Sequence, residues 1–318
     1  MNQADAPALP TLPPRDPRGH KGTFGTVAVV GGQTGATPMI GGPALAAVAA
    51  LRTGAGLVRI VAPEPTLSAA LIVAPSATGV SLPVDETGAL IAHEAVAAFD
   101  RVLTAATVVA IGPGLGVSAG AVALSLRAVG QTQTPVVADA DALNALAQTP
   151  DFARDIRAQA VLTPHPGEFA RLAKPLGVTA DPTLERERPI AAEQLAQRLG
   201  CVVVLKGAGT VVSDGQRTWV NETIDAALAT GGTGDVLTGV ISGLIAQHYR
   251  KPTSAGSRSL TSEALGGLSL FDCARLGVRA HALAAAIWRQ RAGAEAGLLA
   301  MELAGCLPAA CEALRTRA

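Results

Sequence analysis

The sequence is poor in aromatic residues: Phe, Trp and Tyr make up 3% of its 318 residues, and Tyr249 is the single tyrosine. It therefore lacks the stacking platforms on which proteins seat single-stranded nucleic acid. Net charge is missing as well, because 25 Lys and Arg balance 25 Asp and Glu. No long-range field draws such a chain to nucleic acid or to an acidic membrane surface. Cysteine is scarce, at Cys201, Cys273, Cys306 and Cys311, with no CxxC pair and no adjoining His cluster. Neither a disulfide framework nor a zinc site is expected, and the thiols read as small buried apolar groups in a reducing compartment. The longest apolar runs, around 43–51 and 236–246, are too short or too interrupted by glycine to span a bilayer. Residues 1–18 are polar and proline-rich, without the apolar segment of a signal peptide or anchor. A cytoplasmic protein with small-molecule partners, and no nucleic-acid or membrane partner, is the expectation.

Lysine is also rare. Lys21, Lys174, Lys206 and Lys251 stand against 21 arginines. A chain that otherwise uses arginine is expected to keep lysine where a compact ammonium matters. Lys21 and Lys206 both fall in glycine-rich segments, although chance accounts equally well for either one alone.

Against these absences stands a repeated alternation of β-branched runs with Ala/Leu-rich helical patterns. Strands are predicted at 26–30, 57–62, 107–111, 135–138, 160–163 and 202–205, and helices at 43–53, 119–128, 140–147 and 193–199. The strands are nearly continuous apolar runs, as expected when both faces are covered. The alternation predicts an α/β fold: a three-layer α/β/α sandwich with a mainly parallel central sheet. Segments 211–213 and 218–220, joined through Asp214-Gly215, read as an edge hairpin. Residues 1–18 are expected to form a flexible arm, 19–318 a single domain, and 250–261 an exposed loop.

In an open parallel sheet, ligands gather beyond the carboxyl ends of the strands. The ends here are polar or glycine-rich: Gly31-Gly32, Gly112-Pro-Gly114-Leu-Gly116, Asp139-Ala-Asp141, Pro164-His165-Pro-Gly-Glu168 and Lys206-Gly207. Their convergence predicts a nucleotide-sized crevice. Gly112, Gly114 and Gly116 allow a close backbone approach, but their spacing is not the dinucleotide fingerprint and no Walker lysine follows. His165 is stiffened by flanking prolines and is either a structural histidine bonded to backbone carbonyls or a ligand contact. Glu168 either opens the next helix, worth ~0.3–1 kcal/mol with the dipole, or organises water around magnesium. One of Asp139 and Asp141 is accounted for as a helix cap, leaving the other for a metal or supporting role. Lys206, Gly207, Ala208, Gly209 and Thr210 either wrap a polyphosphate, with the ammonium as a mobile counter-charge, or form a plain hairpin turn.

Most informative is Gly231-Gly232-Thr233-Gly234-Asp235, set immediately before an apolar helical run. The amides opening that helix lack intrahelical acceptors, and the dipole adds positive potential, which makes an anion hole. Asp235 within it would repel a bound phosphate unless it had its own task. Taking the proton from a hydroxyl about to receive a phosphoryl group is such a task.

Taken together, Lys21-Gly-Thr-Phe-Gly, Gly31-Gly32, the 50–56 string, Gly112-Pro-Gly-Leu-Gly, Asp139-Ala-Asp-Ala-Leu-Asn, Leu162-Thr-Pro-His-Pro-Gly-Glu, Leu205-Lys-Gly and Ala229-Thr-Gly-Gly-Thr-Gly-Asp resemble the ADP/ATP-dependent NAD(P)H-hydrate dehydratases of the ribokinase-like superfamily. The resemblance implies a repair lyase that phosphorylates the ring hydroxyl of hydrated NADH or NADPH and expels it as phosphate, with ADP or ATP as donor and Mg2+ present. It implies Asp235 as base, and Gly42, the 112–116 glycines and His165 as contacts to the hydrate. Lys206 to Thr210 with Gly234 would hold the nucleotide phosphates. Three departures accompany it: Gly42 stands where alanine is usual, the string around His281 lacks the family's following Gly-Asp and has Ala286 where an acid is usual, and the 250–261 loop is longer than typical. The alternatives are another ribokinase-like small-molecule kinase, of hydroxyethylthiazole or pyrimidine type, or a catalytically silent nucleotide-binding protein. A separate epimerase is the implied functional partner. A mean hydropathy of +0.35 points to buried subunit contacts and so to a homo-oligomer, of which a tetramer is one form.

Overall fold

In the computed structural model, residues 8–250 and 267–315 are described. The predicted apolar runs become β1 (Thr26–Val30), β2 (Leu57–Pro63), β4 (Val108–Ile111), β5 (Val136–Ala138), β6 (Ala160–Leu162) and β7 (Val202–Leu205). They are joined by β3 (Thr78–Leu82) at one edge and by the hairpin β8 (Val211–Ser213) and β9 (Thr218–Val220) at the other. The described strands form one sheet of order β3-β2-β1-β4-β5-β6-β7-β8-β9. It is parallel through β7, with Val27 opposite both Val58 and Val108, and antiparallel from β7 to β8 and from β8 to β9. This is the predicted three-layer α/β/α sandwich.

Both faces are covered, which explains the unbroken apolar strands. Val27, Val29, Val108 and Ala110 pack into a core with α1 (Gly41–Thr53), α8 (Thr233–His248), α9 (Leu270–Ala292) and α10 (Ala300–Arg315). Ala28, Val30, Val109 and Ile111 face the other layer, built from α3 (Ala92–Leu103), α4 (Ala119–Gly130), α5 (Asp141–Gln148), α6 (Pro166–Ala173) and α7 (Arg188–Leu199). The short α2 (Thr66–Val73) sits beside β2 and β3. From β1 the chain goes outward to β2 and β3, then returns to β4 on the opposite side. The topological switch point therefore lies between the ends of β1 and β4, where Gly31 and Gly112 stand. Among the described residues no helix is long and apolar enough to cross a membrane.

Residues 8–18, read from the sequence as part of a flexible arm, are packed against the body. Leu12 is 2% exposed, and its N–H donates to the Leu314 carbonyl at 3.0 Å. Arg15 stacks on the Phe24 ring and donates to the carbonyl of Gly54 and to Gln247 Oε1. The reason is local: one apolar side chain finds a slot against α10, and the neighbouring prolines lower the entropy lost on ordering. Residues 1–7 and the 251–261 part of the expected loop lie outside the described residues. Leu12→Ala should lower the unfolding free energy by ~2–5 kcal/mol in urea, the usual range for emptying a buried leucine site. A loss below ~0.5 kcal/mol, typical of exposed positions, would show that the strap is not anchored there.

Candidate active site

The end of β4 is shaped by a missing side chain. Gly112 has φ +119°, and a Cβ on it would come 1.8 Å from the Asp139 carbonyl oxygen. Only glycine lets the ends of β4 and β5 close up in this way. The following turn is pinned on both sides: the Gly32 N–H donates to the Pro113 carbonyl at 2.9 Å, and the Gly116 N–H donates to Asp141 Oδ2 at 2.9 Å. Gly42 opens α1 against this turn, where an added Cβ would lie 2.9 Å from the Pro113 carbonyl carbon. Gly42, Gly112, Gly114 and Gly116 are thus one backbone wall at the switch point.

Asp139 and Asp141 do not act as expected. Neither carboxylate caps α5; the cap position is Ala140, which has no side chain to offer and sits at φ +51°, ψ −117°. A non-glycine residue in such a conformation costs of order 1–3 kcal/mol, and its consequence is that the two aspartates diverge. Asp141 turns to Gly116 and to Asn144, whose Oδ1 in turn accepts from Arg171. Asp139 turns inward, 1% exposed; its Oδ1 accepts from Lys206 Nζ at 2.6 Å and its Oδ2 from Thr238 Oγ1 at 2.7 Å.

Lys206 ends β7. Besides Asp139, its Nζ lies 3.7 Å from Glu168 Oε2 and 3.6 Å from where a Cβ of Gly234 would be. The ammonium is a fixed bridge, not the mobile counter-charge expected, because buried carboxylates hold it beside the first turn of α8. Burial pulls its pKa down, but the charges of Asp139, Glu168 and Asp235 outweigh that and raise it. The loop behind it is a hairpin link between β7 and β8. Gly207 and Gly209 have positive φ, Ala208 is exposed, and Thr210 Oγ1 donates to the Gly207 carbonyl. Beneath it lies a residue the sequence did not single out: buried Arg188 donates to the carbonyls of Leu205 and Lys206 at 3.0 and 3.1 Å.

His165 and Glu168 form a reciprocal cap on α6. His165 Nδ1 accepts from the N–H of Gly167 at 3.0 Å and of Glu168 at 3.4 Å, while Glu168 Oε2 accepts the His165 N–H at 2.8 Å. The histidine is structural, but through amides and not through the carbonyls expected. Nδ1 is thereby the acceptor, so Nε2 carries the proton of the neutral ring; it lies 3.3 Å from Glu168 Oε1 on a half-exposed side chain. Burial pushes the Glu168 carboxyl above its usual range, with Asp139 adding to the rise and Lys206 opposing it.

The start of α8 is an open donor site. Gly232 precedes it at φ +87°, and Thr233 Oγ1 turns back to the carbonyls of Leu228 and Thr230, closing the 228–233 loop. The Thr233 hydroxyl is thus used within the loop. The N–H groups of Gly234 and Asp235 find no acceptor among the described residues. Gly231 is exposed at the mouth. His281 on α9, flagged by sequence only as part of a divergent string, is buried with Nε2 2.8 Å from the Thr233 carbonyl. Burial lowers its pKa to about 4, so the neutral ring donates. Asp235, half-buried in the first turn of α8, makes no side-chain hydrogen bond to another described residue. Burial, then the nearby Asp139 charge, raise its pKa to about 7 against the pull of Lys206.

Lys21 lies elsewhere. Its carbonyl abuts Gly56, and neighbouring Gly25 abuts Ala246 near the far end of α8, roughly 18 Å from Gly234 at 1.5 Å per helical residue. It supports the opposite end of the sheet. Among the described residues no group of three or more His, Cys, Asp or Glu side chains is gathered to hold a metal ion. Magnesium usually keeps several waters and binds through substrate phosphates plus one or two carboxylates. Glu168, with Oε2 already accepting a backbone N–H, fits the water-mediated role only.

A mainly parallel sheet with α8 starting over its carboxyl ends defines a ribokinase-like α/β protein. A ribokinase-like superfamily protein from Enterococcus faecalis shares this fold at TM-score 0.72 and 22% identity, covering 96% of this chain and 93% of that one. The chain belongs to the NAD(P)H-hydrate dehydratase family, whose profile matches residues 27–308. It is similar to the ADP-dependent (S)-NAD(P)H-hydrate dehydratase of Neisseria meningitidis, 38% identical over 87% of this chain and 81% of that protein. It is also similar to the bifunctional NAD(P)H-hydrate repair enzyme of Coxiella burnetii, 40% identical over 86% of this chain but 48% of that protein. The chain thus spans about half the length of the bifunctional relatives. Among structures, the ADP/ATP-dependent NAD(P)H-hydrate dehydratase of Bacillus subtilis, co-crystallised with ATP/Mg2+, matches at TM-score 0.71 and 29% identity over 97% of this chain and 100% of that one.

The raised pKa of Asp235 makes stability depend on pH. Unfolded, the carboxyl titrates near 3.8; folded, it titrates at about 7. Between these values the folded state holds the extra proton, so stability falls as pH rises through the window. Asp235→Asn removes the titration. Its urea midpoint should exceed that of the unsubstituted protein at pH 8, with the gap closing toward pH 4. Equal midpoints at pH 8 would contradict the buried setting of the carboxyl.

Proposed function

We propose that this chain is an ADP-dependent (S)-NAD(P)H-hydrate dehydratase, able to take ATP as an alternative donor, with residues 19–318 acting as one catalytic unit. The observation that carries the reading is the start of α8: two unpaired amides, an adjacent fixed ammonium, and a carboxyl poised near neutral pH in one crevice. Asp235 takes the proton from the hydroxyl on ring carbon six of the hydrate. The freed oxygen attacks the terminal phosphorus of the donor, and the bond from that phosphorus to the bridging oxygen breaks, leaving AMP from ADP or ADP from ATP. The Gly234 and Asp235 amides and Lys206 receive the charge on the transferring group. Phosphate then leaves carbon six, driven by the ring nitrogen lone pair, and loss of a proton from carbon five restores NADH or NADPH. A carboxyl with a pKa of about 7 suits this work, because a substantial fraction is ionised near neutral pH and it is basic enough to take the proton.

In this reading the backbone wall of Gly42, Gly112, Gly114 and Gly116 seats the hydrated dinucleotide, with His165 Nε2 as donor. Residues Lys206, Gly207, Ala208, Gly209 and Thr210 and the loop Gly231, Gly232, Thr233, Gly234 hold the nucleotide. Glu168 would hold magnesium through water, and the ion would neutralise charge on the donor phosphates. The epimerase activity that interconverts hydrate epimers is assigned outside these 318 residues. A cytoplasmic setting is supported by four free, buried cysteines, and a homo-oligomer is retained as part of the proposal.

Incubation with purified NADH hydrate, magnesium and either ADP or ATP tests the reaction and the donor together. The expected result is recovery of reduced-nicotinamide absorbance with one AMP formed per ADP used. A phosphorylated product that accumulates without that absorbance would make the protein a kinase instead. Asp235→Asn should retain ADP binding and lose ~10²–10⁴-fold in turnover; near-normal turnover would remove Asp235 from the base role. His165 is separable into its two tasks. Asparagine is a good helix cap, so His165→Asn should keep thermal stability that His165→Ala loses. Both should weaken the hydrate by roughly ten- to a hundredfold if Nε2 donates to it. Hydrate affinity that follows melting temperature across the pair would leave His165 a cap alone.

A further inference from the structure

We propose that Asp139 is a positioning residue of the phosphoryl site: gripped by Lys206 Nζ on one oxygen and Thr238 Oγ1 on the other, it holds the ammonium over the first turn of α8. The inference rests on the anion-hole reading above and adds a residue that this reading leaves without a task. Asp139 is 1% exposed and cannot touch a ligand through bulk solvent. Both of its oxygens are engaged, at 2.6 and 2.7 Å, which leaves it poorly disposed to ligate a metal. Its two partners come from opposite sides of the crevice. Lys206 closes β7, and Thr238 lies in the second turn of α8, one turn beyond Gly234 and Asp235.

The arrangement matters because a lysine side chain left to itself turns to water, where the ammonium is best hydrated. Here it is held 82% buried, beside Gly234. The Thr238 bond fixes the helix against the same carboxylate, so ammonium and amides keep one register. Ala140, in its strained conformation, is what aims Asp139 inward while Asp141 points to Gly116. A bond to a positioned charged group is worth more than one the ligand must organise.

The proposal makes a prediction opposite in sign to simple electrostatics. Removing a negative charge beside a phosphate site should tighten ADP binding if Asp139 acts as a charge alone. If Asp139 positions Lys206, Asp139→Asn should weaken ADP roughly tenfold, and Asp139→Asn combined with Lys206→Met should bind no worse than Lys206→Met alone. The chain has only four lysines, so selective labelling at lysine Cε gives a spectrum in which Lys206→Met identifies the Lys206 signal. In Asp139→Asn that signal should move toward the position of exposed lysines. Thr238→Val, which keeps every charge, serves as a second variant should Asp139→Asn fold poorly; it should shift the same signal and weaken ADP about threefold. Tighter ADP binding, additive losses in the double variant, or an unmoved Lys206 signal would each overturn the proposal. Titration with ADP and the lysine spectrum need no hydrate, so a protein that binds ADP as described but fails to regenerate NADH would refute the dehydratase reading and leave this one standing.

Discussion

The site is governed by an electrostatic conflict. It collects Asp139, Asp141, Glu168 and Asp235 around the ends of β5, β6 and β7, yet the proposed reaction would bring a polyphosphate to the same place. Four carboxylates and a phosphate cannot share a crevice unless their charge is met or removed. The structure does both. Lys206 stands between Asp139 and Glu168, Asp141 is satisfied by the Gly116 amide, and Asp235 holds its proton up to about pH 7. What is left facing the crevice is the positive end of α8. The same crowding bears on Asp235, whose affinity for a proton is raised first by burial and then by the charge of Asp139.

This balance sets the tolerances of the backbone around it. Lys206 reaches Asp139 because β5, β6 and β7 are parallel neighbours, with β7 running two residues beyond the level of Ala138 and Leu162, and β4 meets β5 without a side chain between them at Gly112. Arg188, from the layer beneath, takes the two carbonyls at the end of β7 and so fixes where the Lys206 side chain starts. Its role is backbone support rather than charge compensation, and burial lowers its pKa.

The sequence conveyed those parts of the fold whose signal is local. The limits of β1, β7, β8 and β9 are those predicted, because apolar β-branched runs between turn residues have few alternatives. β3 escaped because Thr78-Gly-Val-Ser-Leu is an edge strand with most residues exposed, and so carries no apolar run. α3 was legible but overlooked: Ala95, Ala98, Phe99, Val102 and Leu103 recur at helical spacing and all are buried. At the site, the glycine turns and the acid at the start of α8 were readable as strings. Which groups meet was not. Asp139, Lys206 and Thr238 are separated by 67 and 32 positions, and only the sheet order brings them together. The capping role of His165 needed the direction of its ring, which no spacing supplies.

The same distinction explains why divergence in the C-terminal helices leaves the site intact. α9 reaches the anion hole by His281, which bonds the carbonyl of Thr233 and not its side chain. Farther from the hole, Arg279 bonds Thr223, and Arg289 lies 3.8 Å from Asp225, the cap of the short 3-10 turn at Ala226–Leu228. Those contacts hold the 221–233 segment, one through the Thr233 carbonyl and two through the side chains of Thr223 and Asp225. The helix is required to place a backbone, whereas the residues of the crevice are required to balance charge. Side-chain identity is therefore constrained most where the carboxylates crowd Lys206, and least along the helices behind them.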